Sequence, residues 1–135
     1  MDQALTPLTT FKDQFTLAPS ITNEGVLVEC PHTIVAGMGG SAICVSLLKM
    51  LFPELSIALH NSYGLPASFN KDTTLIILNS YSGDTEEILD GFDRGVKEGA
   101  HVALLSRGGK LIQKGKELGA PYIELPESNL EPRFS

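Results

Sequence analysis

Tryptophan is absent from this chain, and cysteine and histidine are scarce, with two and three residues respectively. These shortages exclude several classes of protein. Cys30 and Cys44 make no C-x-x-C pair, and no His, Cys, Asp or Glu residues stand at metal-ligand spacing, so neither a disulfide framework nor a metal site is expected. The cysteines read as buried free thiols of a reducing compartment. The pattern G-x-x-x-x-G-K-[ST] is missing, which excludes an NTPase P-loop. Long apolar runs are missing too: the longest, Ala42 to Phe52, is broken by Ser46 and Lys49 and is too short to span a bilayer. Met1-Asp2-Gln3 offers neither a basic start nor an apolar core, so no signal peptide is expected and the location reads as cytoplasmic. Positive charge is in short supply. The net charge of −6 argues against nucleic acid and anionic membranes as partners. It also repels a phosphate ester, so any phosphate must be held by local donors.

The chain has enough length, 135 residues, for one domain with its own core. Residues 1 to 31 read as an N-terminal helix and a connecting arm. Thr6-Pro7 has the form of an N-cap followed by proline at the first helical position, and Leu8, Phe11 and Phe15 share one face. From residue 32 to 135 strands and helices alternate. Thr33–Gly37, Ser56–His60, Thr74–Asn79, His101–Ser106 and Tyr122–Leu125 are predicted strands. Ser41–Phe52, Thr85–Glu98 and Lys110–Leu118 are predicted helices, the last two ended by Gly99 and Gly119. The first helix is apolar nearly all round and is expected to be buried. This alternation predicts an α/β fold of three layers, a doubly wound parallel sheet with helices on both faces. Its strand order is expected to be 2-1-3-4-5, with ligands beyond the C-terminal ends of strands 1 and 3.

The loops at those two ends carry the chemistry. After strand 1 comes Gly37-Met38-Gly39-Gly40-Ser41. After strand 3 comes Ser80-Tyr81-Ser82-Gly83-Asp84-Thr85, which opens a helix. A helix N-terminus presents unpaired N–H groups and the positive end of the macrodipole, so it attracts an anion. Ser80, Ser82 and Thr85 add hydroxyl donors, and neither lysine nor arginine is present in the loop. The combination suits the phosphate of a small molecule held by neutral donors. A plainer explanation covers part of it: Asp84 or Thr85 is a good N-cap, and Asp84 with Glu87 makes a capping box. A cap alone does not call for Ser80 and Ser82 as well.

Other candidates are weaker. Gly37-x-Gly39-x-x-Ala42 fits a dinucleotide pattern, but strand 2 ends in His60-Asn61-Ser62 where a ribose-binding acid is wanted. His32 and His101 precede strands and fall at the far edge of the sheet; His60 falls on the ligand edge. Glu86 and Glu87 suit the first turn of a helix. Lys110, Lys114 and Lys116 read as a solvated helix face. Arg133, in the tail after strand 5, is the best-placed guanidinium for an anionic substrate or intermediate.

Together, Gly37-Met38-Gly39-Gly40-Ser41, the Ser80–Thr85 loop with Glu86-Glu87, and Pro132-Arg133 resemble the sugar isomerase (SIS) domain family. The chain is most similar there to the N-terminal half of bifunctional phosphoglucose/phosphomannose isomerases, and the aromatic helix near Phe11 and Phe15 resembles their N-terminal arm. The resemblance implies a flavodoxin-like SIS domain at 32–135. It implies aldose–ketose isomerisation of glucose 6-phosphate or mannose 6-phosphate to fructose 6-phosphate, without a cofactor. Gly39, Gly40, Ser41, Ser80, Ser82, Gly83 and Thr85 would hold the hexose 6-phosphate, and Arg133 would stabilise the enediolate. The alternative is a non-catalytic SIS module that senses sugar phosphates. Two departures stand out: Ala42 where a glycine is common, and Glu131 where glutamine often precedes Pro-Arg. The resemblance also places the catalytic glutamate and the ring-opening histidine in a second such domain, beyond the Pro-Arg motif. This chain alone is therefore expected to be inactive, and to form a homodimer or to associate with a second SIS domain.

Overall fold

The computed structural model describes residues 16–126. The expected helix over Thr6–Phe15 and the tail with Glu131 and Arg133 lie outside the described residues. Five strands form one parallel sheet in the order β2-β1-β3-β4-β5. They are β1 (His32–Gly37), β2 (Ile57–His60), β3 (Thr74–Asn79), β4 (His101–Ser106) and β5 (Tyr122–Glu124), and the helices are α1 (Gly40–Leu51), α2 (Glu86–Glu98) and α3 (Gly109–Leu118).

The period of two along each strand sorts the sheet into faces. Register places Ile34 beside Ile76 and Val102, and Ala36 beside Leu78 and Leu104. Ile88 and Phe92 of α2 and Leu111 and Ile112 of α3 close over Ala36, Ile76, Leu78 and Leu104 and make the core, with Val102 packed against it. Gly91, Gly95 and Gly115 let the two helices lie close: an added Cβ on Gly95 would stand 2.9 Å from Val102 Cγ1. Right-handed crossovers from β1 and β3 run in opposite directions across the sheet, so they put α1 on the other face. There α1 packs against β1 and β2. The connection from β2 to β3 has no helix, and its Leu65 and Phe69 lean on the core instead. The arm before β1 is tied to β5: Thr22 and Tyr122 exchange backbone hydrogen bonds of 2.8 and 3.1 Å, and Asn23 donates to the Ala120 carbonyl at 3.1 Å.

Two expectations from composition do not hold. The helix over 41–52 was expected to be buried, yet within α1 only Val45 is buried, while Ile43, Met50 and Leu51 are 61%, 71% and 65% exposed. It covers two strands at one side of the sheet, and among the described residues nothing covers its outer face. The thiols are not buried either: Cys30 is half-buried and Cys44 exposed, and both are free.

Candidate functional site

The loops after β1 and β3 meet, as the strand order requires. A cavity of about 360 Å³ opens between them, lined by Met38, Gly40, Ser41, Cys44, Asn79, Tyr81, Ser82, Thr85, Leu105 and Leu125. Its wall holds three hydroxyl-bearing donors from the predicted set, Ser41, Ser82 and Thr85, and among the described residues no carboxylate, imidazole, lysine or arginine. Both flanking helices begin here without a side-chain cap: α1 starts after Gly39, whose φ of 54° suits glycine, and α2 starts after Thr85. Uncapped first turns keep N–H groups for an outside acceptor.

Ser80 and Gly83 do not line the cavity. Ser80 is buried, its hydroxyl bonded to Thr85 Oγ1 at 2.8 Å and accepting the Gly83 N–H at 3.1 Å. These two residues shape the loop from behind, and the Gly83 N–H points inward. The capping box of the plainer explanation, Asp84 with Glu87, does not form. Thr85 occupies the N-cap, but its hydroxyl is turned to Ser80. Asp84 serves a different helix: its Oδ1 accepts the Lys110 N–H at 3.1 Å, in the first turn of α3. The Gly83 carbonyl accepts the next N–H, that of Leu111, at 2.9 Å. The β3 loop thus occupies the start of α3 and leaves the start of α2 open.

The loop that supports this arrangement carries no motif singled out in the sequence. Ser106, fully buried at the end of β4, donates to the Gly108 carbonyl at 3.0 Å and accepts the Gly108 N–H at 3.2 Å. Arg107 donates its N–H to the Tyr81 carbonyl at 3.1 Å and sets its guanidinium 5.5 Å from the Tyr81 ring centre. A serine and two glycines closing a strand on the ligand edge were the available signal.

The remaining candidates lie apart. His60 ends β2 opposite Ala36, and its Nε2 is 3.4 Å from the Tyr63 carbonyl. Tyr63 donates its hydroxyl to Glu86 Oε2 at 3.1 Å, and that bond, with the negative charge of Glu86 and Glu87, holds the phenol above its usual pKa. None of these lines the cavity. His32 sits at the opposite edge, bonded to Ser56 Oγ at 2.8 Å. Lys114 and Lys116 pair with Asp93 and Glu124 at 2.6 and 3.0 Å on the exposed side of α3.

No protein-family profile matches the chain. Its sequence is similar to curated proteins. The bifunctional phosphoglucose/phosphomannose isomerase of Caldicellulosiruptor bescii is 35% identical over 103 residues, 74% of this chain and 30% of that protein. The D-glucosamine-6-phosphate 4-epimerase of Sulfolobus acidocaldarius is 36% identical over 96 residues, 67% of this chain and 29% of that protein. The crystal structure of the sugar isomerase domain of the RpiR transcription factor from Sphaerobacter thermophilus has the same fold, with a TM-score of 0.56 at 17% identity, over 77% of this chain and 67% of that one. The chain spans about 30% of the length of the curated relatives it matches. Sequence and fold agree: over about three quarters of its length the chain is related to bifunctional phosphoglucose/phosphomannose isomerases, and its fold is that of the sugar isomerase (SIS) domains.

Proposed function

We propose that this chain is the phosphosugar-binding part of a glucose-6-phosphate/mannose-6-phosphate isomerase, acting in the cytoplasm on aldose–ketose exchange with fructose 6-phosphate. The observation that carries the reading is the convergence of two uncapped helix starts and three hydroxyl donors on one uncharged cavity. Ser41, Ser82 and Thr85, with the Gly39-Gly40 backbone, hold the phosphate; Ser80 and Gly83 keep the second loop in shape. Arg133 stabilises the charge that develops on the enediolate oxygen. The relatives' names support a sugar phosphate as ligand. An isomerase and an epimerase share this segment, which fits a segment that anchors the phosphate while groups elsewhere set the reaction. The second reading, a module that binds sugar phosphates without turning them over, is favoured by the lack of any carboxylate or imidazole among the described residues of the cavity wall.

Titration calorimetry with glucose 6-phosphate tests the site. Hydrogen bonds to a charged group contribute about 1.5–3 kcal/mol each, so Ser82→Ala is expected to weaken binding about tenfold or more. Unchanged affinity in a folded Ser82→Ala, Thr85→Ala double variant would remove the assignment.

The outer face of α1 supports association with a second SIS domain or a second copy. Ile43, Leu47, Met50 and Leu51 recur at helical spacing, each 49–71% exposed. Light scattering is expected to show a mass that rises with concentration, and Leu47→Glu with Met50→Glu is expected to lower it. A wild-type mass that stays monomeric at high concentration would contradict this part of the reading.

A further inference from the structure

The geometry points to Asn79 as a positioning residue that fixes the gap between the two phosphate-holding loops, and this inference rests on the reading of the cavity given above. Asn79 is the last residue of β3 and immediately precedes the Ser80 loop. It is paired in register with Gly37, the last residue of β1. Its side chain is 7% exposed and crosses from one loop to the other: Nδ2 donates to the Ser41 carbonyl at 3.0 Å and lies 3.6 Å from Cys44 Sγ. The Ser41 carbonyl belongs to the first turn of α1, and an added Cβ on Gly37 would stand only 3.1 Å from it. Gly37 therefore lets the helix start come close to the strand ends, and Asn79 holds it there.

The choice of side chain is informative. Holding a carbonyl needs a donor, and a phosphate next door favours one without negative charge. Asparagine supplies both. Aspartate has nearly the same shape, but as a carboxylate it would face the lone pairs of the Ser41 carbonyl and repel the phosphate. As a carboxylic acid it could donate again. Asn79 does not need to touch the ligand to matter. A phosphate bridged by Ser41 on one side and by Ser82 and Thr85 on the other is held well only if the two sides keep their spacing.

The test compares wild type, Asn79→Ala and Asn79→Asp by calorimetry with glucose 6-phosphate between pH 8 and pH 5, with thermal unfolding of each protein as a control. Both variants are expected to bind about tenfold more weakly at pH 8. As the pH falls, the affinity of Asn79→Asp relative to wild type is expected to recover while that of Asn79→Ala stays low. The second ionisation of the sugar phosphate, near pH 6, affects all three proteins alike and cancels in the ratio. General loosening of the fold would not produce recovery confined to the aspartate. Equal affinities at pH 8, or parallel curves for the two variants, would overturn the inference. Alkylation of Cys44, located by mass spectrometry, separates this failure from that of the site. Cys44 lines the same cavity, so glucose 6-phosphate is expected to slow its modification in the wild type. Protection with unchanged variant affinities would reject Asn79 alone; loss of both binding and protection in the wild type would reject the site and the inference with it.

Discussion

Gly83→Ala is expected to destabilise the protein by about 3 kcal/mol or more and to abolish sugar phosphate binding. Two costs combine at this position. The backbone has a φ of 78°, which disfavours any residue with a Cβ. The new methyl group would also overlap the carbonyl oxygen of Gly108 and stand 2.8 Å from its carbon and 2.9 Å from Ser106 Oγ. Neither backbone can step aside easily. The Gly83 carbonyl holds the Leu111 N–H, its own N–H is held by Ser80, and Gly108 is bonded in both directions to Ser106. Gly99 separates the two costs. Its φ is 70°, close to that of Gly83, but an added Cβ there meets nothing within 4 Å. Gly99→Ala is expected to cost only the backbone term, about 1 kcal/mol, and to leave binding intact. Denaturant midpoints of the two variants make the comparison. Against a total stability of about 5–15 kcal/mol the difference is large. Equal midpoints would show that the crossing of the Gly83 and Gly108 backbones is slack.

Local pattern foretold the fold well where one segment carried its own signal. The run of β-branched and aliphatic residues in Thr74–Asn79 and the one in His101–Ser106 gave those strands their observed ends. Glycine after an amphipathic stripe marked the ends of α2 and α3, where Gly99 and Gly119 have positive φ. Alternation of element types was enough to predict the parallel sheet and its order. The failures share a cause: they concern groups brought together from distant parts of the chain. Local spacing assigns Asp84 to the helix that follows it, but the carboxylate accepts the N–H of Lys110, 26 residues later, in the first turn of the next helix. Hydropathy shows that the sequence of α1 is apolar on every side, and says nothing about what lies over each side. Counting hydroxyls in the β3 loop predicts donors; it does not reveal that Ser80 turns inward to hold Thr85 and Gly83. The buried Ser106 went unnoticed because its partners belong to the next loop and to Tyr81. The meeting of the two loops was therefore legible in the sequence, while the different surroundings of their serines were not.

Isomerase turnover is expected to be undetectable for residues 1–135 alone and to appear when a second SIS domain is joined to them or mixed with them. Anchoring the phosphate lowers the barrier only if it holds the transition state better than the substrate. Moving a proton between neighbouring sugar carbons needs a positioned base, whose contribution is typically about 10²- to 10⁴-fold. Opening the ring needs a further acid–base pair. Among the described residues, the only titratable side chains in the cavity wall are the Cys44 thiol and the Tyr81 phenol. His60 is turned to the Tyr63 carbonyl, and Glu86 is engaged by the Tyr63 hydroxyl. A carboxylate there would also be repelled by a bound phosphate. A coupled assay from fructose 6-phosphate to glucose 6-phosphate measures the outcome. Binding without turnover in the isolated chain, and turnover on adding the partner domain, would fit a phosphate anchor that borrows its base. Robust turnover by the isolated chain, lost in His60→Ala or Glu131→Gln, would place the base within these 135 residues and overturn the division of labour proposed here.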